Sequence, residues 1–364
     1  MQEELEHHIF AGAANSRPGE TLLNTIKEAY TGPDADLWRS AVEEELLSLN
    51  SNHVYETVPI PDGVTPITSK LVFRIKCDHS GKIKWYKVRI VTCGFTQKEG
   101  VDYQEVFAPV ANLDSVRTIV ALAAKHNLEL DQMDVSTAYL NGELEEELYL
   151  LPLAGVPIQS GYCWKLQCSL YGLKQAGHTW NRTLDKKLGE LGFTHLDAET
   201  CLYVLRKHGQ VCFLVVYVDD LLLEASSRSY MNSIKEMLSS TFTMHDLGEA
   251  KFLLGIEIQR DWRLRTISLS QSQYAQTILE CTGMTEATPV WTPMIHGTSL
   301  SATDPEDNST LPQILIGQKR VSYLTVIGSL MYLMLETRPD LAFSVGTLSR
   351  FSAAPKACHW EAAK

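Results

Sequence analysis

Two adjacent carboxylates, Asp219 and Asp220, interrupt an otherwise apolar run, with Val211-Cys212-Phe213-Leu214-Val215-Val216-Tyr217-Val218 before them and Leu221-Leu222-Leu223 after. Neighbouring ionisable groups are expensive to bury uncompensated in such a segment. Asp favours turns, so one reading is an ordinary surface hairpin turn. The other is a β-hairpin whose tip presents hard oxygen ligands to divalent cations. A further carboxylate, Asp134, ends the extended segment Leu130-Asp131-Gln132-Met133-Asp134-Val135. It precedes Ser136-Thr137-Ala138-Tyr139-Leu140-Asn141-Gly142, which can turn into a short helix, so a helix N-cap is the competing role for Asp134. Together the three form a cluster of the kind that clamps two metals ~3.5–4 Å apart for in-line phosphoryl displacement.

Several elements must position these groups. Asp36 to Leu49 reads as a helix with Leu37, Ala41, Leu46 and Leu49 near one face. Lys70–Lys76 and Ile83–Val91 read as two strands joined by the turn Asp78-His79-Ser80-Gly81. Further helices are expected at Asp114–His126, Trp180–Leu191, Tyr230–Ser240, Gln271–Thr282 and from Ser322 to Glu336 and beyond. Residues 1–35 are polar, with Pro and Gly breakers, and read as a weakly ordered lead-in. Thr288 to Lys319, rich in Pro, Thr, Ser and Asp, reads as a long linker. Strands and helices in mixed order, without regular βαβ alternation, indicate an α+β fold.

At 364 residues and 45% apolar content, the chain can bury a sizeable core split into subdomains. The longest central apolar run suits a buried strand rather than a membrane span, and no signal-peptide core opens the chain, so an intracellular protein is expected. Eight scattered cysteines form no CxxC pair and read as small buried hydrophobes of a reducing compartment. The net charge of -12 argues at first against a phosphate-rich partner. Its distribution reverses that, because Lys70 to Lys98 holds eight basic residues against one acid, Asp78. A cationic patch on an acidic body is what a footprint for phosphates looks like, the alternative being a solvated hairpin face.

From Trp38 to the C-terminus the chain resembles the copia-type (LTR-retrotransposon) reverse transcriptase domain. The blocks that carry the likeness, in family order, include Trp38–Glu45, Tyr86–Gln97, Phe107-Ala108-Pro109-Val110, Gln132–Gly142 and Ser169-Leu170-Tyr171-Gly172-Leu173-Lys174-Gln175. They continue with Tyr217-Val218-Asp219-Asp220, Asp246-Leu247-Gly248, Phe252–Ile256 and Thr337-Arg338-Pro339-Asp340. The resemblance implies a right-hand polymerase of fingers, palm and thumb, with an antiparallel palm sheet. The expected parts are fingers and palm over 36–260 and a thumb and connection-like region over 261–364, truncated before a ribonuclease H domain. It also implies an RNA-directed DNA polymerase working on an RNA template and a DNA or RNA primer, with dNTPs as substrates and no membrane. Asp134, Asp219 and Asp220 would coordinate two Mg²⁺ ions (Mn²⁺ as substitute). Lys76, Lys87 and Arg89 would grip the triphosphate, and Tyr139 would lie beneath the sugar and exclude a 2′-hydroxyl. Tyr171, Gly172 and Lys174 would line the pocket beside the template base, and Leu254 and Gly255 would form the primer grip. Such elements work in cytoplasmic particles and the nucleus.

The chain departs from the family at three places. Cys93 replaces a usual Lys, Ala176-Gly177-His178 replaces a Ser/Pro-Arg pattern, and Leu71 replaces a common Trp. These departures favour an alternative reading, a catalytically silent element remnant that at most binds nucleic acid. They also predict a loosened loop after Gln175.

Overall fold

A computed structural model describes residues 26–77, 83–151, 156, 158–295, 297–301, 314–316 and 319–364, without the side chains of 76, 77, 84, 314–316 and 319–321. Most of the expected lead-in, the turn at 78–81 and the centre of the expected linker therefore lie outside the described residues. The chain divides into two compact units, Leu22–Ala250 with Trp262–Thr266, and Lys251–Asp261 with Ile267–Lys364. Helices and antiparallel sheets mix in the α+β manner that the sequence indicated.

The larger unit opens with α1 (Ile26–Thr31), inside the stretch read as lead-in, and α2 (Ala35–Ser51). Strand β1 (Tyr55–Pro59) belongs to a small sheet completed by β5 (Tyr149–Leu150) and β6 (Tyr162–Leu166). Strands β2 (Ser69–Cys77) and β3 (Ile83–Thr92) form the expected hairpin, with Phe73 opposite Val88 and Arg74 opposite Lys87. Trp38 of α2 stands edge-on to Phe73 at 5.2 Å and to Tyr86 at 4.7 Å, which fixes the apolar face of the hairpin. Side chains alternate along a strand, so Lys70, Arg74, Lys87 and Arg89 share the other face.

The main sheet runs in the order β11-β4-β10-β9-β8-β7, antiparallel throughout. Its strands are β4 (Glu129–Val135), β7 (Thr194–Leu196), β8 (Glu199–Lys207), β9 (Gln210–Tyr217), β10 (Asp220–Ala225) and β11 (Met244–Glu249). Helices α4 (Ala176–Glu190) and α5 (Arg228–Ser239) cover one face. They bury Trp180, Leu184 and Leu188, and Met231, Ile234 and Leu238, against Met133, Val135, Leu214, Val216, Leu221 and Leu223. Helix α3 (Leu113–His126), capped by the Asn112 side chain, packs against β4 and β9. Period-2 alternation then sends Gln132 and Asp134 of β4, and Asp220 of β10, to the face away from α4 and α5.

The smaller unit holds the sheet β12 (Phe252–Leu253), β13 (Ile256–Asp261) and β14 (Thr266–Ser270), the helix α6 (Ser272–Thr282), and the short pair β15 (Ile314–Ile316) and β16 (Lys319–Val321). Helices α7 (Tyr323–Glu336), α8 (Ala342–Ser349) and α9 (Ala357–Ala363) close it around Tyr323, Val326, Ile327, Leu348 and Trp360. No described helix is long and apolar enough to cross a membrane.

Candidate active site

Asp134 and Asp220 are direct cross-strand partners on β4 and β10. The Val135 N–H donates to the Asp219 carbonyl at 2.8 Å, which makes the neighbouring Asp134–Asp220 pair the non-hydrogen-bonded kind, where side chains approach most closely. Asp134 therefore lies within a strand and is no helix cap; the short 3-10 turn Ala138–Asn141 begins after Thr137. Asp219 occupies the two-residue turn between Tyr217 and Asp220, which pair as the last rung of the β9–β10 hairpin. The preceding Val218 has φ 57°, a left-handed conformation that a β-branched residue adopts only under strain.

Two contacts outside the hairpin hold this strained tip. Trp180 Nε1 donates to the Val218 carbonyl at 2.7 Å, and Gln132 Nε2 donates to Asp220 Oδ1 at 3.1 Å. Neither was foreseen from sequence. The all-oxygen donor set suits a hard divalent cation such as Mg²⁺ or Mn²⁺. Among the described residues, however, no three His, Cys, Asp or Glu side chains already converge closely enough to hold one. The donors fit the ion in kind and in shared strand position, and cation binding would have to complete their convergence.

Beside the carboxylates, Tyr139 and Tyr171 meet edge-to-face at 5.0 Å, and the Arg89 guanidinium lies over the Tyr171 ring at 4.5 Å. Burial pushes the Tyr171 phenol above its ordinary pKa; Arg89 opposes this, while the negative charges of Asp219 and Glu45 reinforce it. Arg89, Tyr171 and Asp219 thus share one electrostatic neighbourhood. Tyr139 packs against both the main-sheet core and the core of the small sheet.

The Tyr171–Gly172 turn is fixed by the end of β3. Thr92 donates to the Tyr171 carbonyl through its N–H at 2.8 Å and through its hydroxyl at 3.1 Å. At Gly172, φ is 91°, and an added Cβ would stand 2.3 Å from the Thr92 carbonyl, so only glycine lets the two backbones cross. Lys174 does not reach the carboxylates: its ammonium donates to Tyr103 Oη at 3.0 Å and lies over that ring. Next to it, the buried side chains of Gln97 and Gln175 are joined at 3.1 Å, and Gln97 Oε1 accepts the Lys174 N–H. Position 76 pairs with Trp85, and its side chain is outside the described residues.

At two of the three family departures, His178 and Leu71, the side chain itself makes a packing or hydrogen-bond contact. His178 Nδ1 donates to the Phe107 carbonyl at 2.7 Å, so the segment after Gln175 is tied down rather than loosened. The Cys93 N–H donates to the Thr68 carbonyl at 2.8 Å. Leu71 packs against the hairpin core beside Trp38.

In the smaller unit, Leu254 and Gly255 form the two-residue turn between β12 and β13, with φ of 52° and 75°. Tyr332 Oη of α7 donates to the Leu254 carbonyl, and a Cβ at Gly255 would stand 2.8 Å from the Tyr332 hydroxyl.

The six-stranded antiparallel sheet thus carries Asp134 and Asp220 as cross-strand partners beside one hairpin tip. Residues 52–296 match the family described as Reverse transcriptase (RNA-dependent DNA polymerase), and the chain belongs to that family. Its relatives include the retrovirus-related Pol polyprotein from transposon TNT 1-94 of Nicotiana tabacum, 38% identical over 93% of this chain and 26% of that protein. A second, from transposon RE2 of Arabidopsis thaliana, is 32% identical over 97% of this chain and 23% of that protein. These relatives bear out the copia-type resemblance, and the chain spans about a quarter of their length. Among solved structures, a foamy viral protease-reverse transcriptase in complex with double-stranded DNA aligns over 89% of this chain and 47% of that chain at 10% identity, with a TM-score of 0.40, too distant to place any residue.

Proposed function

We propose that this chain is the polymerase portion of a retrotransposon Pol protein, transferring nucleotides from dNTPs to a primer 3′-hydroxyl on an RNA template. The observation that carries the reading is the pairing of Asp134 with Asp220 across β4 and β10, with Asp219 at the adjoining tip. When bound by these three residues, two Mg²⁺ ions would activate the 3′-hydroxyl and neutralise the leaving pyrophosphate.

The protein's own groups supply the rest. Arg74 and Lys87 are cross-strand partners in the β2–β3 hairpin and share its basic face with Arg89. Lys87 and Arg89 on this basic face would hold the triphosphate, in the role of fingers. Tyr139 and Tyr171 would present ring faces to the sugar of the incoming nucleotide, their bulk disfavouring a 2′-hydroxyl. Gly172 lets this platform sit directly on the end of β3, and Lys174 braces the turn through Tyr103. The Leu254–Gly255 turn, tied to α7, would act as primer grip within a thumb formed by the smaller unit. The His178 bond removes the loosened-loop argument for the silent-remnant alternative.

Primer extension on an RNA template tests the proposal. Extension is expected with Mg²⁺ or Mn²⁺, lost with a chelator and recovered when metal is restored. A folded chain that extends no primer under any of these conditions would overturn it.

A further inference from the structure

The Leu254–Gly255 turn is held from outside its own hairpin. Strands β12 and β13 pair Phe252 with Glu257 and Leu253 with Ile256, so only two residues close the loop, and both have positive φ. Glycine takes that conformation freely, whereas Leu254 takes it under strain. The Tyr332 hydroxyl of α7 donates to the Leu254 carbonyl. It also fills the space that a side chain at position 255 would need, 2.8 Å from an added Cβ. The Tyr332 ring meets Tyr274 of α6 edge-to-face at 5.0 Å, and Thr337 Oγ1 donates to Gln271 Oε1 at 2.8 Å where the same two helices are joined again. The brace therefore comes from a fastened helix pair. Gly255 itself stays exposed and Leu254 half-buried, so water could satisfy the turn carbonyl. A two-residue turn closes without such help; a brace on an exposed turn fixes where it stands, which is what a ligand-holding loop requires.

We propose that Tyr332 is a positioning residue for the primer: its hydroxyl sets the Leu254–Gly255 turn in one place, and the turn in its place holds the primer's terminal nucleotide. The proposal rests on the polymerase reading above, with this turn as primer grip. Tyr332 touches neither the primer nor the reacting atoms in this scheme and acts only through the turn. Its contribution is to the geometry of a bound primer end rather than to the strength of binding, because the duplex makes many contacts and the brace supplies none of them. A terminal nucleotide that wanders reacts more slowly, since transfer requires the 3′-hydroxyl to stand close to and in line with its target.

Tyr332→Phe removes the hydroxyl and keeps the ring against Tyr274, so the fold should survive. The probe is an RNA-templated DNA primer carrying 2-aminopurine as its 3′-terminal base, bound to the full chain without dNTP. Wild type is expected to change the emission of that base, and Tyr332→Phe to lose most of the change while binding the duplex within about twofold of wild type by anisotropy. Once dNTP is added, single-turnover incorporation should fall about three- to tenfold, with the dNTP KM unchanged within about twofold. Thr337→Val serves as the structural control, because it breaks the bond between α6 and α7 without touching the turn, and it should behave as wild type. The proposal is overturned if wild type leaves the terminal base unaltered, if folded Tyr332→Phe matches wild type in signal and rate, or if Thr337→Val loses as much as Tyr332→Phe. If the terminal-base signal behaves as expected but wild type extends no primer, the positioning stands and the polymerase reading fails.

Discussion

Trp180 and Gln132 reach the aspartate hairpin from opposite faces of the main sheet, and neither is ionisable chemistry in its own right. The indole N–H holds the carbonyl of a strained Val218, and the Gln132 amide orients the Asp220 carboxylate. Trp180→Phe keeps most of the ring but leaves that carbonyl without its donor, which is expected to cost about 1–3 kcal/mol. Urea unfolding would show the loss, and nucleotide incorporation should slow at saturating dNTP because the tip carrying Asp219 is no longer held. A Trp180→Phe chain with wild-type stability and rate would show that the strand pairing alone fixes the tip. The three aspartates themselves were legible in the sequence, because charged residues in an apolar run stand out without any knowledge of the fold. Their supports were not: Trp180 lies 38 residues from Val218, and Gln132 lies 88 from Asp220. Only a fold brings an ordinary core tryptophan or a strand glutamine to such a place.

At the scale of elements, the hairpin β2–β3, helix α3 and strand β4 were readable from periodicity, and each formed close to where the pattern put it. Strands β8 and β11 were not recognised from the sequence. The Met244–Glu249 segment is mostly polar and becomes a strand by pairing with β4, with help from a charge network on the α5 face. In that network the fully buried Asp131 meets Arg228 at 2.6 Å and also Lys235, which in turn bonds Asp246 at 2.6 Å. Helix α4 began four residues earlier than expected, at Ala176, since the buried Gln175 side chain fixes the preceding turn. The buried network gives a sharp expectation for Lys235→Met. Asp131 would keep Arg228 but lose its buried partner, and removal of one member of a buried pair costs roughly 3–5 kcal/mol. Pairing that change with Asp131→Leu should recover most of the loss in urea unfolding. If the single substitution leaves stability intact, the network is not what fastens α5 to β4.

The α+β class was readable because strand-like and helix-like segments alternate irregularly, and the ordered blocks resembling copia-type elements pointed to the family that the comparisons then showed. The net charge of -12 alone would have pointed away from nucleic acid. What the sum concealed is the segregation of Lys70, Arg74, Lys87 and Arg89 to one face of a hairpin whose register brings two of them opposite each other. The measurement that bears most directly on the central claim is incorporation of one dNTP into an RNA-templated primer by wild type and by Asp219→Asn, with circular dichroism confirming that both are folded. Wild type is expected to incorporate at least about a thousandfold faster, since one carboxylate lost from a two-metal site removes charge stabilisation worth several kcal/mol. Equal rates, or none above background for either chain, would contradict the assignment of Asp134, Asp219 and Asp220 as the catalytic centre.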